Sequence, residues 1–433
     1  MRSIAPAALA LFVVLAAPCA MAQEFSKNDR SRGHLMLRNI QDEVRKNYYD
    51  PKFHGVDLDA RFAAADKKID EATSNGQVFG IIAQALMDFD DSHLFFMPPP
   101  HVNRVEYGWR YQAIGDKCLV TGVKPNSDAQ AKGLMPGDEI LRIDGFVPTR
   151  ENLWKLQYLY NALRPQGGMR LTVRSPDGKE RQVDVMAQVI QGKWRVDLTG
   201  DAGFWTYVRE LENEHHLHRH RHEEVGDIVI WKMPRFDLDK QEIRRIMGKV
   251  RKARALVIDL RGNPGGYEET LTELLGYFFD HDLVIAEAHG KEKTKPITAR
   301  THGDAYKGAV VVLIDSDSAS SAELFARVFQ LEKRGTVVGD RSAGAVMEAM
   351  QKTLTLGADV VVPYGLSITR ADLTMRDGKS LEHAGVIPDE LLLPTPADLA
   401  AGRDSVLMRA AKLAGTELDA QKAAALFPIE WRK

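Results

Sequence analysis

Cysteine is scarce in this sequence, and its scarcity limits how the chain can be stabilised. Only Cys19 and Cys118 occur among the 433 residues. Cys19 lies in an N-terminal segment that we expect to be removed, so no disulfide can form within the remaining chain, even in an oxidising compartment. The fold must therefore depend on buried apolar area, and a chain of this length can supply that area in two or three domains.

The sequence also lacks an excess of either charge and any long apolar run beyond its first residues. The formal net charge is −2 at pH 7, which gives no reason to expect nucleic acid or an anionic membrane as a partner. No later stretch is long and apolar enough to cross a bilayer. We therefore expect a mature chain that binds no nucleic acid and does not span a membrane.

Residues 1–22 have the features of a secretory signal. Arg2 supplies a positive start, residues 5–18 form an apolar run that is too short to span a bilayer, and Ala-Met-Ala at residues 20–22 places small side chains before a cleavage point. The expectation is a signal peptide cut after Ala22 and a periplasmic or secreted protein. An N-terminal anchor that is never cut is the alternative.

The spacing of apolar residues changes along the rest of the chain, and these changes mark candidate domain boundaries. Residues 23–100 show helix-like apolar spacing, and residues 105–188 alternate short strands with turns. Residues 200–395 alternate uniformly apolar runs with amphipathic segments, which is typical of an α/β layer with a mainly parallel sheet. Residues 396–433 are predicted to be a helical extension. The predicted fold class is therefore α/β within a multi-domain chain that is α+β overall.

A polar turn between a buried strand and a helix is the strongest local sign of chemistry. An apolar run at residues 309–314 leads into Ser-Ala-Ser-Ser-Ala-Glu at residues 318–323. A serine at such a strand end can project into a site, and the next amide, that of Ser321, is free at a helix N-terminus where it would stabilise an oxyanion. Simple helix capping by serine is the competing interpretation.

A second buried strand runs directly into a glycine-rich turn. Residues 259–266 read Asp-Leu-Arg-Gly-Asn-Pro-Gly-Gly. Two consecutive glycines let a backbone approach a ligand closely and aim an amide inward. Gly265 or Gly266 is therefore a candidate for the second oxyanion donor, and a turn without a ligand is the alternative.

A serine nucleophile needs a base, and the residues alone leave two histidines open. His93 follows Ser92 in an Asp-Asp-Ser-His sequence, and His383 follows Glu382 near the far end of the chain. Sequence spacing cannot show which of these side chains meets the turn at residues 318–323.

The order of the motifs resembles the C-terminal-processing serine proteases and, more closely, their tricorn-core relatives. The resemblance covers nearly the whole mature chain: a helical segment ending in Asp-x-His, Asp-Leu-Arg-x-Asn-x-Gly-Gly, Ser-x-x-Glu, Gly-x-x-x-x-Gly and Glu-x-x-Gly-Val-x-Pro-Asp. It implies a serine peptidase without a metal or organic cofactor that acts on unfolded or flexible C-terminal regions of polypeptides. It also implies that Ser320, three residues before Glu323, is the nucleophile.

The chain departs from the processing proteases at the position of their base. Those enzymes carry a lysine directly after Gly-x-x-x-x-Gly, and this chain has Ala345 there, which has no proton to exchange. The tricorn-type branch instead uses a serine–histidine pair with a glutamate. That resemblance implies that His93 is the general base and that Glu382 orients it through the hydroxyl of Ser92.

Residues 105–188 resemble a PDZ domain, chiefly through Gly-Leu-Met-Pro-Gly-Asp-Glu-Ile-Leu-Arg-Ile-Asp-Gly at residues 133–145. PDZ domains add an extended peptide to a sheet edge and hold its C-terminal carboxylate on backbone amides. The resemblance places the carboxylate-binding loop at Tyr107, Gly108, Trp109 and Arg110. A small β domain without peptide binding is the alternative.

Histidines also cluster in residues 213–224, but their spacing matches no closed metal site and no cysteine helps. We predict a solvated loop there and no metal, with zinc or copper binding as the alternative. For the whole chain, the alternative to a peptidase is an inactive peptide-binding scaffold on the same fold. The two differ in one distance, because only an enzyme needs His93 Nε2 within or near hydrogen-bond reach of Ser320 Oγ.

Overall fold

A computed structural model describes residues 25–101, 103–191, 216–291, 294–357 and 361–432. The predicted signal at residues 1–22 lies outside these ranges, as do residues 213–215 of the histidine-rich stretch. Within the ranges, no helix is both long and apolar enough to cross a membrane.

The described chain begins with three α-helices, continues through strands with interspersed helices and ends with three α-helices; α5 continues into a π-helical turn at Leu159–Leu163. The helices are α1 Lys27–Asn47, α2 Leu58–Asp70, α3 Asn75–Met87, α4 Asp128–Ala131, α5 Leu153–Tyr158, α6 Lys240–Val250, α7 Glu268–Leu275, α8 Ser321–Leu331, α9 Pro396–Ala400, α10 Ser405–Leu413 and α11 Ala420–Leu426. The strands are β1 Phe95–Met97, β2 Arg104–Glu106, β3 Trp109–Ile114, β4 Lys117–Val123, β5 Glu139–Ile143, β6 Gly168–Arg174, β7 Glu180–Met186, β8 Gln188–Ile190, β9 Arg221–Val225, β10 Ile228–Lys232, β11 Ala255–Asp259, β12 Leu283–Gly290, β13 Ile297–Ala299, β14 Ala309–Ile314, β15 Thr336–Gly339, β16 Met347–Leu356, β17 Val362–Met375 and β18 Glu390–Leu391.

The core is a sheet in the order β18-β15-β14-β11-β10-β9. Its neighbours pair in parallel, except that β9 runs antiparallel to β10. Alternate side chains enter two apolar clusters: Leu256 and Ile258 pack with α6, α7 and α8, while Ala255 and Val257 pack with α10 and α11. Because both faces are covered, the central strands β10, β11 and β14 are apolar except for the last residues of β10 and β11. The predicted α/β class with a mainly parallel sheet is confirmed.

The N-terminal helices pack on a long antiparallel hairpin, β16–β17, that the sequence pattern did not predict. Their apolar side chains share one buried cluster with Leu356, Tyr364, Leu366 and Ile368 of the hairpin. Strand β1 pairs with β17, with Phe96 opposite Leu366. Since β1 follows almost directly on Ser92-His93, this pairing carries that dipeptide to the core.

Strands β3 to β7 form a separate sheet in chain order, with its own apolar core and with α5 packed on it. We call this unit the β domain. The chain enters and leaves it through β2 and β8, which pair antiparallel with Val105 opposite Val189. The Ser127 side chain accepts the amide of Gln130 and so caps α4. Strand β3 pairs only with β4 among the described residues, so it lies at an edge of the sheet.

The loop prediction for residues 213–224 is wrong at its C-terminal end, because Arg221–Val225 forms β9. The backbone pairs with β10 from Ile228–Val225 to Lys232–Arg221 while charged side chains stay at least partly exposed, as an edge strand allows. In the described part of this stretch, no three histidine or acidic side chains lie together in a way that could hold a metal ion.

Candidate active site

Ser320 lies in the turn between β14 and α8, at the carboxyl end of a central parallel strand. Its φ of 54° and ψ of −121° are rare for a residue with a side chain, and such a conformation costs on the order of 1–3 kcal/mol. The amide of Ser320 donates to the carbonyl of Ala345 at 2.8 Å. The fold therefore holds this serine in a strained conformation at the sheet edge where α/β proteins place their sites.

The neighbouring serines have other partners. The Ser318 hydroxyl is buried and donates to the carbonyl of Leu260 at 2.9 Å. The Ser321 hydroxyl donates to the carbonyl of Gly266 at 3.1 Å. Both hydroxyls tie the turn to the loop after β11. Ser320 is the serine of this turn whose hydroxyl faces a histidine.

His93 faces Ser320, with 3.4 Å between Nε2 and Oγ. Its Nδ1 lies 2.8 Å from Ser92 Oγ, and Ser92 Oγ lies 2.9 Å from Glu382 Oε2. A carboxylate can only accept, so the single proton of the Ser92 hydroxyl goes to Glu382 and its oxygen accepts from Nδ1–H. The imidazole is thereby fixed with an unprotonated Nε2, which is the tautomer that can accept the Ser320 proton.

Glu382 joins three segments that are distant in sequence. Its Oε1 accepts the amide of Ser92 at 2.9 Å, and its Oε2 also accepts the amide of Val346 at 2.7 Å. One carboxylate thus fixes the backbone beside His93 relative to the start of β16. Because these bonds use both oxygens, Glu382 has little freedom to move away from Ser92.

Burial lowers the pKa of His93, and the nearby carboxylates of Glu382 and Asp91 oppose that shift. A lowered pKa keeps the imidazole neutral, and a general base must be neutral before it accepts a proton. The environment of His93 therefore favours its basic form at neutral pH.

Asp91 is a site residue for which sequence reasoning assigned no role. Its Oδ1 accepts the amides of His93 at 2.9 Å and Leu94 at 3.1 Å, and the hydroxyl of Thr369 at 2.7 Å. Its Oδ2 accepts the hydroxyl of Tyr48 at 2.8 Å. The carboxylate therefore fixes the turn that carries His93 between α1 and β17. Aspartate side chains commonly accept hydrogen bonds from backbone amides two residues further along the chain. The position of Asp91 two residues before His93 was therefore the signal that could have identified its role.

Glu323 is a second site residue for which sequence reasoning assigned no role. It is fully buried at 0% exposure and accepts from the Ser342 hydroxyl at 2.5 Å and from the amides of Gly344 at 2.8 Å, Ala345 at 2.9 Å and Ser320 at 3.1 Å. Burial raises its pKa to about 7, although these hydrogen bonds favour the ionised form. Glu323 thus connects the Ser320 turn to the loop in which related enzymes carry a lysine base. No lysine of the described ranges hydrogen-bonds Ser320.

The glycine-rich loop packs directly against the nucleophile. A side chain on Gly265 would lie 2.7 Å from Ser320 Cβ, and one on Gly266 would lie 2.2 Å from the carbonyl oxygen of Phe236. The amide of Gly265 donates to Oδ1 of the buried Asn263 at 2.8 Å, so this predicted donor already has an acceptor. Among the described residues the amides of Gly266 and Ser321 have no acceptor, which leaves both free to bind an oxyanion.

His383, the competing base, has a different partner. Its Nε2 donates to the carbonyl of Asp90 at 3.0 Å, and its side chain is 55% exposed. Nε2 is therefore protonated and engaged, and His383 cannot accept the proton of Ser320 in this arrangement. Its contact instead supports the loop that leads to His93.

The predicted peptide-binding residues lie at the start of edge strand β3. The Tyr107 hydroxyl donates to the carbonyl of Tyr160, Gly108 has a left-handed φ of 73°, and Trp109 is buried in the β-domain core. Arg110 contacts the C-terminal segment of the chain. All three side chains of this set thus have intramolecular contacts. No strand pairs with the outer edge of β3 among the described residues, and the Tyr111 and Ala113 carbonyls of β3 accept from the side chains of Gln157 and Ser316.

The β domain contacts the turn that leads to Ser320. The Ser316 hydroxyl donates to the carbonyl of Ala113 at the end of β3 at 2.6 Å. Asp340, at the end of β15, accepts from the amide of Gly115 and from Arg150, both at 2.9 Å. The β3–β4 hairpin is therefore connected by hydrogen bonds to two loops of the core, one of which ends in the nucleophile.

Comparison with known proteins shows that this chain is similar to peptidases. Residues 225–392 match the model of peptidase family S41. The tail-specific protease of Haemophilus influenzae is 24% identical over 293 residues, which cover 65% of this chain and 39% of that protein. Tricorn protease homolog 2 of Streptomyces coelicolor is 26% identical over 399 residues, which cover 86% of this chain and 31% of that protein. The crystal structure of mature CPAF shares the fold, with a TM-score of 0.63, 17% identity and coverage of 86% of this chain and 94% of that one.

The matched region, residues 225–392, resembles the core of a serine-type peptidase. The match to peptidase family S41 covers residues 225–392, and the resemblance to C-terminal-processing and tricorn-type proteases is confirmed. The chain spans between 31% and 39% of the length of the two curated relatives named above.

Proposed function

We propose that this protein is an endopeptidase that cleaves polypeptides through an acyl-enzyme on Ser320, with His93, Ser92 and Glu382 as the rest of the catalytic set. The observation that carries the proposal is the continuous hydrogen-bonded chain from Ser320 Oγ to Glu382 Oε2. Its longest step, 3.4 Å, is typical of a serine–histidine pair without bound substrate. An inactive scaffold would not need this alignment or a neutral, oriented imidazole.

The reaction follows from the geometry. Ser320 Oγ attacks the carbonyl carbon as His93 Nε2 takes the hydroxyl proton, and the oxyanion binds to the amides of Gly266 and Ser321. The carbon–nitrogen bond then breaks as His93 gives that proton to the leaving amine. A water molecule attacks the acyl-enzyme with His93 again as the base, which releases the new carboxyl terminus and restores Ser320. Ser92 and Glu382 orient and stabilise the imidazolium in each step.

A fluorophosphonate probe and an unfolded protein substrate test this assignment together. We expect the wild type to be labelled at Ser320 and to cleave the substrate, and Ser320→Ala to lose both properties while its circular dichroism spectrum is unchanged. Substrate cleavage by Ser320→Ala at the wild-type rate would eliminate Ser320 as the nucleophile. A wild type that binds the substrate without labelling or cleavage would favour the scaffold.

We further propose that the β domain acts as a PDZ domain that captures the C-terminal region of a flexible polypeptide at the edge of β3. The position of β3 at the edge of its sheet and the left-handed turn at Gly108 support this, as do relatives named for tail-specific and carboxy-terminal processing. Calorimetry with one peptide in two forms tests it. We expect the free carboxylate form to bind and the amidated form to bind at least tenfold more weakly. Equal affinities would remove carboxylate recognition from the proposal.

Export is part of the same proposal, based on the signal pattern in residues 1–22. We expect the mature protein to begin at Gln23 in the periplasm or the medium. Amino-terminal sequencing of protein from fractionated cells measures this directly, and an intact Met1 in the cytoplasmic fraction would contradict it.

A further inference from the structure

The segment after α11 leaves the core and lies on the β domain. We call residues 427–432 the strap. Its side chains and carbonyls contact Arg110 on β3, Gly122 near the end of β4 and Lys124 just beyond it. These β-domain residues are neighbours, since Arg110 pairs with Gly122 across the two strands. The strap therefore covers one end of the β3–β4 hairpin.

Gly122 makes room for the strap. It lies within β4, where glycine weakens a strand, and its φ is not left-handed, so the backbone does not require glycine there. A side chain at this position would lie 2.7 Å from Ile429 Cδ1 and 3.5 Å from an indole carbon of Trp431. Close approach of another segment is the usual reason for a glycine in a strand. Gly122 thus forms a notch that Ile429 and Trp431 fill.

Two cations at the notch bind the strap backbone. Arg110 Nη2 donates to the carbonyl of Glu430 at 2.5 Å, and its guanidinium lies 4.9 Å from the centre of the Trp431 ring. Lys124 Nζ donates to the carbonyl of Arg432 at 3.0 Å. A cation over an indole and two carbonyl contacts select an extended segment with an aromatic side chain at a fixed position.

The opposite side of the strap binds the core. The carboxylate of Glu430 lies 2.6 Å from Arg219 Nη2 and 3.6 Å from Arg221 Nη1. Arg221 also donates to the carbonyl of Pro428 at 3.2 Å. Because one short segment contacts both units, it connects the β domain to the segment that leads into β9.

We propose that the Arg110–Gly122–Lys124 surface is a peptide-binding site distinct from the edge of β3, and that its ligand is the chain's own Ile-Glu-Trp segment at residues 429–431. Bound in cis, the strap clamps the β domain to the core. It also occupies Arg110, the last residue of the predicted carboxylate-binding loop. Release of the strap therefore frees both the domain and this side chain. The proposal concerns binding and does not depend on peptide-bond cleavage.

Hydrogen–deuterium exchange on the full chain tests the contact from both sides. We expect Ile429→Asp combined with Trp431→Ala to accelerate exchange in residues 117–124 at least tenfold. Gly122→Val should accelerate exchange in residues 427–432 by a similar factor, because valine suits a strand but fills the notch. Gly167→Ala is the matched control, since a side chain there would meet nothing within 4 Å and its φ is not left-handed. Wild-type exchange of the strap in Gly122→Val would overturn the assignment.

A peptide added in trans separates a binding site from a merely structural contact. An acetylated, fluorescent peptide of residues 426–432 should bind the Ile429→Asp/Trp431→Ala protein at least tenfold more tightly than the wild type, whose own strap competes at high effective concentration. Adding Gly122→Val to that protein should abolish binding. Equal binding to the wild type and the double variant, or no binding to the double variant, would refute the site.

Discussion

The two halves of the candidate active site are built in different ways. The nucleophile half is local: Ser320, Glu323 and Ala345 lie within one strand–helix–loop unit and are held by short hydrogen bonds around a buried carboxylate. The histidine half is assembled from distant segments, since Ser92 and Glu382 are 290 residues apart in sequence. The comparison indicates that the nucleophile geometry depends on local folding, whereas the base depends on docking of the N-terminal helices against β17.

The largest effect that distinguishes the halves is expected from removal of the base. His93→Ala should lower kcat/KM by about 10⁴-fold, the upper range for a general acid–base residue, and abolish fluorophosphonate labelling. Peptidase assays on the unlabelled enzyme measure the first effect, and fluorescence of the protein after reaction with the probe measures the second. His383→Ala is the matched control, because its Nε2 contacts only the Asp90 carbonyl and, more distantly, carboxylates. A greater loss in His383→Ala than in His93→Ala would reverse their roles.

The next effect tests whether Glu382 acts through Ser92. Glu382→Gln should lower kcat on the order of 10²-fold with little change in KM, because the imidazolium loses an oriented charge partner. Ser92→Ala should lower kcat by a similar factor. The double variant should have a kcat little below that of either single variant, since both residues belong to one hydrogen-bonded chain.

Glu390→Gln is a suitable control in the same C-terminal region. Glu390 pairs with Arg409 at the surface, and we expect near wild-type kcat. Additive losses in Glu382→Gln and Ser92→Ala would indicate independent roles and would contradict the proposed chain.

A substitution in the nucleophile half is expected to lower the free energy of unfolding. Glu323→Gln places an amide NH₂ opposite donors in a fully buried position, so the free energy of unfolding should fall by about 3 kcal/mol. Urea denaturation followed by circular dichroism measures it. Glu332→Gln, at the other end of α8, removes only a pair with the exposed Arg376 and should cost less than about 1 kcal/mol. Equal costs would show that the buried network contributes little.

Asp91 is expected to act as a positioning residue for the histidine half. Asp91→Asn keeps an oxygen acceptor but removes the charge beside His93, so kcat should fall roughly tenfold with KM unchanged. The pKa of His93 should also fall further, because the Asp91 carboxylate raises it in the wild type. Nuclear magnetic resonance titration of His93 in the Ser320→Ala background measures that shift without activity. An unchanged His93 pKa would leave Asp91 with a structural role alone.

The smallest expected effect concerns pH. Because burial lowers the pKa of His93, the neutral, basic form persists below pH 6.5, the value of an unperturbed histidine. Activity should therefore be retained as pH falls through 6.5 and be lost only through the lowered pKa. Glu323 has a pKa of about 7, so direct titration of His93 must accompany the pH–rate profile. A His93 pKa above 6.5 would contradict the expected direction.

Much of the core was predictable because its signals are local. The almost uniformly apolar runs at residues 255–260 and 309–314 are typical of short strands covered on both faces, and they form β11 and β14. The β16–β17 hairpin was not predictable in this way, since its side chains alternate irregularly between buried and exposed. Strand β9 was missed because its residues are charged and its pairing with β10 involves the backbone.

The sequence alone indicated the class of the protein through the order of its motifs, the candidate nucleophile Ser320 through the resemblance of its Ser-x-x-Glu turn, and the absence of a lysine at position 345. These features depend on which residues stand at a small number of positions. Only the tertiary structure decided that Nε2 of His93 faces Ser320, that Gly266 and not Gly265 has a free amide, and that Asp91 supports the base. Those outcomes depend on packing between segments far apart in the chain, and a spacing pattern contains no information on which distant hydrogen-bonding groups packing brings together.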